Sequence, residues 1–141
     1  MSTRGYIAYR DNDQIVWNYL HGDNYVLNGT GEQLIRKYND ADFAWKLVSI
    51  GDRSYLEKEE PYNDQDEVVH KCSIEDWKDV LASGWDIEYV YLWEDGEWKV
   101  SHGGNAPFYP LESVYVAILA HHYNLDGGDI QSILESDFFG D

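Results

Sequence analysis

One cysteine in 141 residues, Cys72, leaves no partner for an intrachain disulfide, so nothing in the chain argues for an oxidising compartment. Lysine and arginine are scarce: 10, against 27 aspartates and glutamates, for a formal net charge of -17. The acids divide 13 to 14 between residues 1–70 and 71–141, while the bases fall from 7 to 3 and none follows Lys99. This argues against direct binding of nucleic acid, which depends on clustered bases that displace counterions from phosphates. No apolar run approaches membrane-spanning length, and the opening M-S-T-R-G-Y-I-A-Y has no signal-like core. The expectation is a soluble, cytoplasmic protein that stays off membranes.

Reaction signatures are missing too. There is no Gly-x-Ser-x-Gly, no phosphate-cradling Gly-rich lysine loop and no dinucleotide fingerprint. Cys72 precedes a helix start but no His/Asn pattern frames it as a nucleophile. His121 and His122 are adjacent, about 100° apart on a helix, so they do not share an ion as an i,i+4 pair does. Asp126-Gly127-Gly128-Asp129 is too short for a calcium loop and reads as a turn and cap. Neither a metal, a cofactor nor catalysis is expected.

What is present is aromatic and acidic. With 43% hydrophobic and 16% aromatic residues, the chain has the material for one folded domain. The stretch Ile87 to Ser101 carries the strongest local signal, two β-prone runs meeting at Asp95-Gly96, a preferred pair for two-residue hairpin turns. Trp93 then faces Trp98, and Tyr91 faces Val100, on an aromatic side shared with Tyr89. Glu88, Val90, Leu92, Glu94, Glu97 and Lys99 form the other side, half apolar and half charged, as at a sheet edge or a solvated face.

Gly5–Tyr9 and Ile15–Leu20 read as strands around an Asp11-Asn12-Asp13 turn, the second of them suited to burial on both sides. Thr30-x-x-Gln33 has the form of a capping box and opens a helix with Leu34, Ile35 and Tyr38 inward. Asp40 or Asp42 caps the next, with Phe43, Ala44, Leu47, Val48 and Ile50 as its apolar stripe up to Gly51. Residues 57–70 are acidic and aperiodic, the best candidate for a mobile loop. Ser73-x-x-Asp76 resembles a second capping box, followed by Trp77, Val80 and Leu81 and ended by Gly84. Ser101 to Pro110 reads as a Gly/Pro loop without regular structure. Leu111 to Tyr123 is the clearest helix, with Leu111, Val114, Tyr115, Ile118, Leu119 and His122 on one stripe, and a short helix around Ile130, Ile133 and Leu134 follows. The simplest assembly is a single α+β domain over residues 1–141, an antiparallel sheet built from two β-hairpins and covered by about four helices.

Several motifs together resemble those of a family of small uncharacterised proteins common in phages and prophages. Thr3-Arg4-Gly5-Tyr6-Ile7-Ala8 is similar to its opening T-R-x-x-I-A strand, and Tyr19-Leu20-His21-Gly22-Asp23-Asn24-Tyr25 to its H-W-D-G-Y-P loop, without the family's Trp and Gly-Tyr-Pro. Gly31, Leu34, Ile35 and Tyr38 fit its helix, and Ile50-Gly51-Asp52-Arg53-Ser54-Tyr55-Leu56 its L-G-D-x-S-x-L stretch. Glu88-Tyr89-Val90-Tyr91 with Asp95-Gly96-Glu97-Trp98 fits the E-Y-V-Y … D-G-E-W hairpin. The resemblance covers a common core within residues 2–100, leaves 101–141 as a helical addition, and implies a phage setting in a bacterial host with no established activity.

Two candidate sites emerge. One is an acidic partner-binding surface: Glu94, Asp95 and Glu97 at the hairpin tip, with Glu57, Glu59, Glu60, Asp64, Asp66 and Glu67 in the acidic loop. Glu94 opposite Glu97 is a like-charge pair that a cation or a partner would relieve. The other is a ligand pocket at a strand-to-helix loop, made of Arg4, His21, Asp23, Asn24 and Tyr25, where free helix amides suit an anion. The leading expectation is an acidic binding protein that antagonises a host defence or nucleic-acid-binding factor by occupying its basic channel, a form of nucleic-acid mimicry. The alternatives are a binder that sequesters a nucleotide signal, and an interaction subunit that dimerises through the hairpin edge.

Overall fold

Two tight turns set the frame. The computed structural model describes residues 3–22, 24–49, 70–84, 86–103 and 106–122. Strands β1 (Gly5–Asp11) and β2 (Gln14–Leu20) close through Asn12 and Asp13, with Asn12 at φ 57°, where asparagine is among the few tolerated side chains. Strands β4 (Tyr89–Glu94) and β5 (Glu97–His102) close through Asp95 (φ 57°) and Gly96 (φ 79°), the doubly left-handed turn whose twist matches the strands. The register is as the alternation requires, Trp93 opposite Trp98 and Tyr91 opposite Val100.

The fold is α+β, but the sheet is mixed rather than wholly antiparallel. Its order is β3-β2-β1-β4-β5-β6, and β1 runs parallel to β4 at its centre. The remaining neighbours pair antiparallel. A parallel pair at the centre is covered on both faces, which its composition permits: Ile7, Ala8, Val90 and Tyr91 are all fully buried. Two edge strands lie outside the sequence reading. β3 (His70–Ser73) pairs with β2 where an acidic loop was expected to end, and β6 (Tyr109–Pro110) pairs with β5 inside the Gly/Pro stretch. Both are short edges, and proline is tolerated there because an edge strand need not donate outward.

Three helices, α1 (Thr30–Lys37), α2 (Ala41–Val48) and α4 (Leu111–His122), cover one face of the sheet, and α3 (Ile74–Ser83) covers the other. Under the three lie Ile7, Val16, Leu20, Tyr91, Trp93, Trp98 and Val100, with Leu34, Tyr38, Leu47, Leu111 and Val114 from the helices. Under α3 lie Ala8, Ile15, Val90, Leu92 and Trp77. The second face of the β4–β5 hairpin is therefore packed where Val90 and Leu92 stand, not solvated as their charged neighbours imply. The hairpin is not a free edge either, since β1 flanks β4, and β6 covers Lys99 and Val100 of β5.

Caps follow chemistry where they are local. Asp40 accepts from the Phe43 amide at 2.8 Å and opens α2; Ser73 accepts from the Asp76 amide at 3.1 Å and opens α3, which Gly84 ends. Thr30 departs from expectation. The N-cap of α1 is Gly29, without a side-chain cap, and the Thr30 hydroxyl donates to Asn24 Oδ1 at 2.7 Å instead. Phe43 also departs: the α2 stripe consists of Ala44, Leu47 and Val48, and Phe43 is left 49% exposed at its edge. The expected helix around residues 130–134, the stops at Ile50 and Gly51, and the histidine side chains at 121 and 122 lie outside what is described.

Gly31 shows how tightly α1 docks. A Cβ there would stand 2.7 Å from Val26 Cα and 2.9 Å from Val26 O, backbone atoms that cannot swing aside. Gly31→Ala is expected to cost about 2 kcal/mol, the scale of an overpacked core site, against a gain from helix propensity that is smaller. Urea unfolding of the variant checks this; a neutral or stabilising result would show that α1 docks loosely against the Val26 backbone.

Candidate partner-binding surface

The described residues of the expected ligand pocket, Arg4, His21, Asn24 and Tyr25, each have contacts within the fold. Asn24 is fully buried and its amide is spent on the fold: Nδ2 donates to Thr3 O at 2.7 Å and Leu20 O at 2.9 Å, and Oδ1 accepts from Thr30. Its own carbonyl accepts from the Tyr91 hydroxyl at 2.6 Å. Arg4 forms an ion pair with Asp86, and its carbonyl accepts from the amides of Glu88 and Tyr89. His21 Nδ1 shares a hydrogen with the Tyr19 hydroxyl at 2.9 Å. Tyr25, half exposed, rests edge-on against Tyr89. Asp23 lies outside the described residues. Arg4, Asn24 and His21 are thus each engaged within the protein.

The acidic surface is regrouped. Glu57, Glu59, Glu60, Asp64, Asp66 and Glu67 lie outside the described residues. At the hairpin tip, Glu94 is neutralised from within: Arg10 Nη1 stands 2.7 Å from Oε2 and Lys99 Nζ 3.1 Å from Oε1. Burial would raise the Glu94 carboxyl, but the bonds from Arg10 and Lys99 outweigh it and hold the group below the usual glutamate range. Lys99 also reaches Asp95 at 3.2 Å. Burial would lower its ammonium, and the bonds to Glu94 and Asp95 raise it above lysine's ordinary value. The like-charge pair of Glu94 and Glu97 is thus relieved by internal cations. Glu97 is exposed and has no cation among the described residues.

A second group of acids, read in the sequence as caps alone, adjoins the tip. Between α1 and α2 stand Asn39 and Asp40, followed by Asp42, all exposed. Asn39 Nδ2 donates to Glu112 Oε1 at 3.1 Å, which ties this link to the start of α4. Ile35, Asn39, Gly96, Glu97, Trp98, Leu111 and Glu112 line a cleft of about 240 Å³ between α1, the hairpin tip and α4. Trp98 fixes its wall, since the indole is buried, sits edge-on to Trp93 and donates from Nε1 to Tyr38 O at 2.9 Å.

Beside these acids α2 presents two large aromatics. Phe43 is 49% exposed with Lys46 Nζ 5.7 Å from its ring centre, and Trp45 is 39% exposed. The helix is pinned where it must be: Asn18, fully buried in β2, donates to Val48 O at 2.6 Å, and Tyr9 holds Trp45 edge-on at 5.1 Å. Burying Ala44, Leu47 and Val48 turns positions 43 and 45 to the rim of that contact. The signal was available in the sequence, because Phe43 and Trp45, two apart on a helix, cannot both share one narrow stripe.

Burial pushes the Cys72 thiol up, away from the thiolate form. Among the described residues no three metal-ligating side chains gather, and no helix is long and apolar enough to cross a membrane. Compared with protein-family models, with curated proteins and with solved structures, the chain matches none.

Proposed function

We propose that this protein acts stoichiometrically by binding a protein with a basic surface, as an antagonist of a host defence or nucleic-acid-binding factor. One observation carries the reading: α2 sets exposed Phe43 and Trp45 beside the exposed acids Asp40 and Asp42, with Lys46 over the Phe43 ring. Aromatic side chains that rest on a rigid element bury area at little entropic cost and dominate binding energy, while surrounding charge steers the encounter and selects the partner's sign. A net charge of -17 extends that steering over the whole molecule. The phage resemblance of the β1, loop and hairpin motifs supports a host factor as the target. The nucleotide-sequestering reading has less support among the described residues, because Arg4 and Asn24 are already engaged within the fold.

The test is capture from bacterial lysate on the immobilised protein, compared with the double variant Phe43→Ala, Trp45→Ala. The wild type is expected to retain one or a few basic proteins at low salt, to lose them steeply as salt rises, and the variant to retain them at least about 10-fold less well. Retention of acidic partners, or retention insensitive to both salt and the variant, would overturn the reading. Circular dichroism of the variant verifies that exposed positions were changed without unfolding the helix.

A further inference from the structure

We propose that the cleft between α1, the hairpin tip and α4 receives an arginine side chain of the partner. The proposal rests on the basic-partner reading above and identifies its anchor. Size comes first. About 240 Å³ lies below the span of roughly 300–1,000 Å³ typical of sites for drug-sized ligands, so the cleft suits a single side chain better than a nucleotide. The lining is mostly polar; Ile35 is its half-buried apolar side chain, and Trp98 and Leu111 are buried beneath it and hold its floor in place.

Charge complementarity then selects the head group. Every ionisable residue of the lining is an acid: Glu97 from the start of β5 and Glu112 from the first turn of α4. Neither has a cation among the described residues. Asn39 holds one oxygen of Glu112 and leaves the other without a described partner, so the carboxylate is oriented but not used up. Two carboxylates brought by different elements call for donors that spread in a plane. A guanidinium has five such donors and pairs with carboxylates bidentately, whereas an ammonium is a strongly hydrated point charge. Glu94 and Asp95, by contrast, are occupied by Arg10 and Lys99, so the partner's cation is directed to the cleft rather than to the turn.

The experiment is a titration of the isotope-labelled full chain with the capped peptides acetyl-Gly-Arg-Gly-amide and acetyl-Gly-Lys-Gly-amide at low salt, followed through the Gly96 amide and the Trp98 indole N–H. The arginine peptide is expected to move both signals saturably, the lysine peptide to bind at least about 10-fold more weakly, and Glu97→Gln with Glu112→Gln to weaken the arginine response by a similar factor. Equal response to both peptides, no response, or a response unchanged in the variant overturns the cleft proposal. Movement confined to the amides of Asp42, Phe43 and Trp45 overturns the cleft while leaving the basic-partner reading intact. Conversely, a cleft that binds arginine in a protein whose captured partners ignore salt and the α2 variant would overturn that reading and leave the cleft site standing.

Discussion

Replacing Asn24 by alanine is expected to cost about 4 kcal/mol, most of the stability margin of a marginal domain and a value seldom exceeded by one substitution. The reason is the number of groups that one amide satisfies. Its two N–H bonds serve the carbonyls of Thr3 and Leu20, and its oxygen serves the buried Thr30 hydroxyl. Each buried group left without a partner costs about 1–3 kcal/mol, and truncation adds a void beside Gly5, whose missing Cβ is what lets the amide lie so close. Asn24→Asp is expected to be worse at neutral pH. A carboxylate cannot donate to the two carbonyls, and it sets a buried charge against their oxygens. Acid should narrow the gap between the two variants by restoring one donor. Urea unfolding of both, with exposed Tyr25→Ala as the comparison within about 1 kcal/mol of wild type, measures this. An Asn24→Ala protein as stable as wild type would return Asn24 to the list of residues free to meet a ligand.

That residue also marks the boundary of what the sequence disclosed. It was placed correctly in a loop between a strand and a helix, because glycines and Asx residues punctuate chains by local rules. Its role depends on Thr3, Thr30 and Tyr91, the last 67 positions away, and no local pattern encodes such a partnership. Thr30 was misread for the same reason: its hydroxyl had two possible uses, and the distant one prevailed. The β4–β5 hairpin was legible to the residue, since alternation and an Asp-Gly turn fix register on their own. The parallel contact of β1 with β4 was not, because it joins segments some 80 residues apart whose pairing only the layers around them select.

Whether an acid is available to a partner is not legible in sequence alone. Abundance of Asp and Glu is visible in any count, but whether a carboxylate faces a partner or an internal cation is a matter of register. Glu94 is compensated because β1 lies beside β4 and brings Arg10 alongside, a consequence of the parallel contact. Glu97, one turn away on β5, faces the cleft instead. The same reasoning separates Asp40, whose side chain caps α2, from Asp42, which is exposed in the first turn of that helix. A charge run in sequence is thus divided by the fold into carboxylates engaged within the protein and carboxylates left exposed.

The core itself should respond to alkali. Tyr91 is fully buried, and burial pushes its phenol well above the ordinary value near 10; Tyr89, burdened first by burial and then by the charge of Glu88, is pushed up to about 12. The folded protein therefore keeps protons that the unfolded chain releases above about pH 10. Stability is fully present below that pH and falls as pH rises through the window up to the folded values, by at most about 1.4 kcal/mol per pH unit for each such tyrosine. Tyr91 makes the larger contribution to that slope; the contribution of Tyr89 is smaller, because part of its ring meets solvent. Lys99, raised as well, acts in the same direction, so the decisive comparison is with Tyr91→Phe rather than with wild type at neutral pH. That variant leaves the Asn24 carbonyl without its donor and should be less stable by about 1–2 kcal/mol near pH 8, yet it should lose stability more slowly above pH 10, so the two curves converge. Urea unfolding followed by tryptophan fluorescence across this range reads both effects. Parallel curves would mean that the Tyr91 phenol ionises as readily in the folded protein as in the unfolded chain, which its enclosure between Asn24 and Gly31 does not allow.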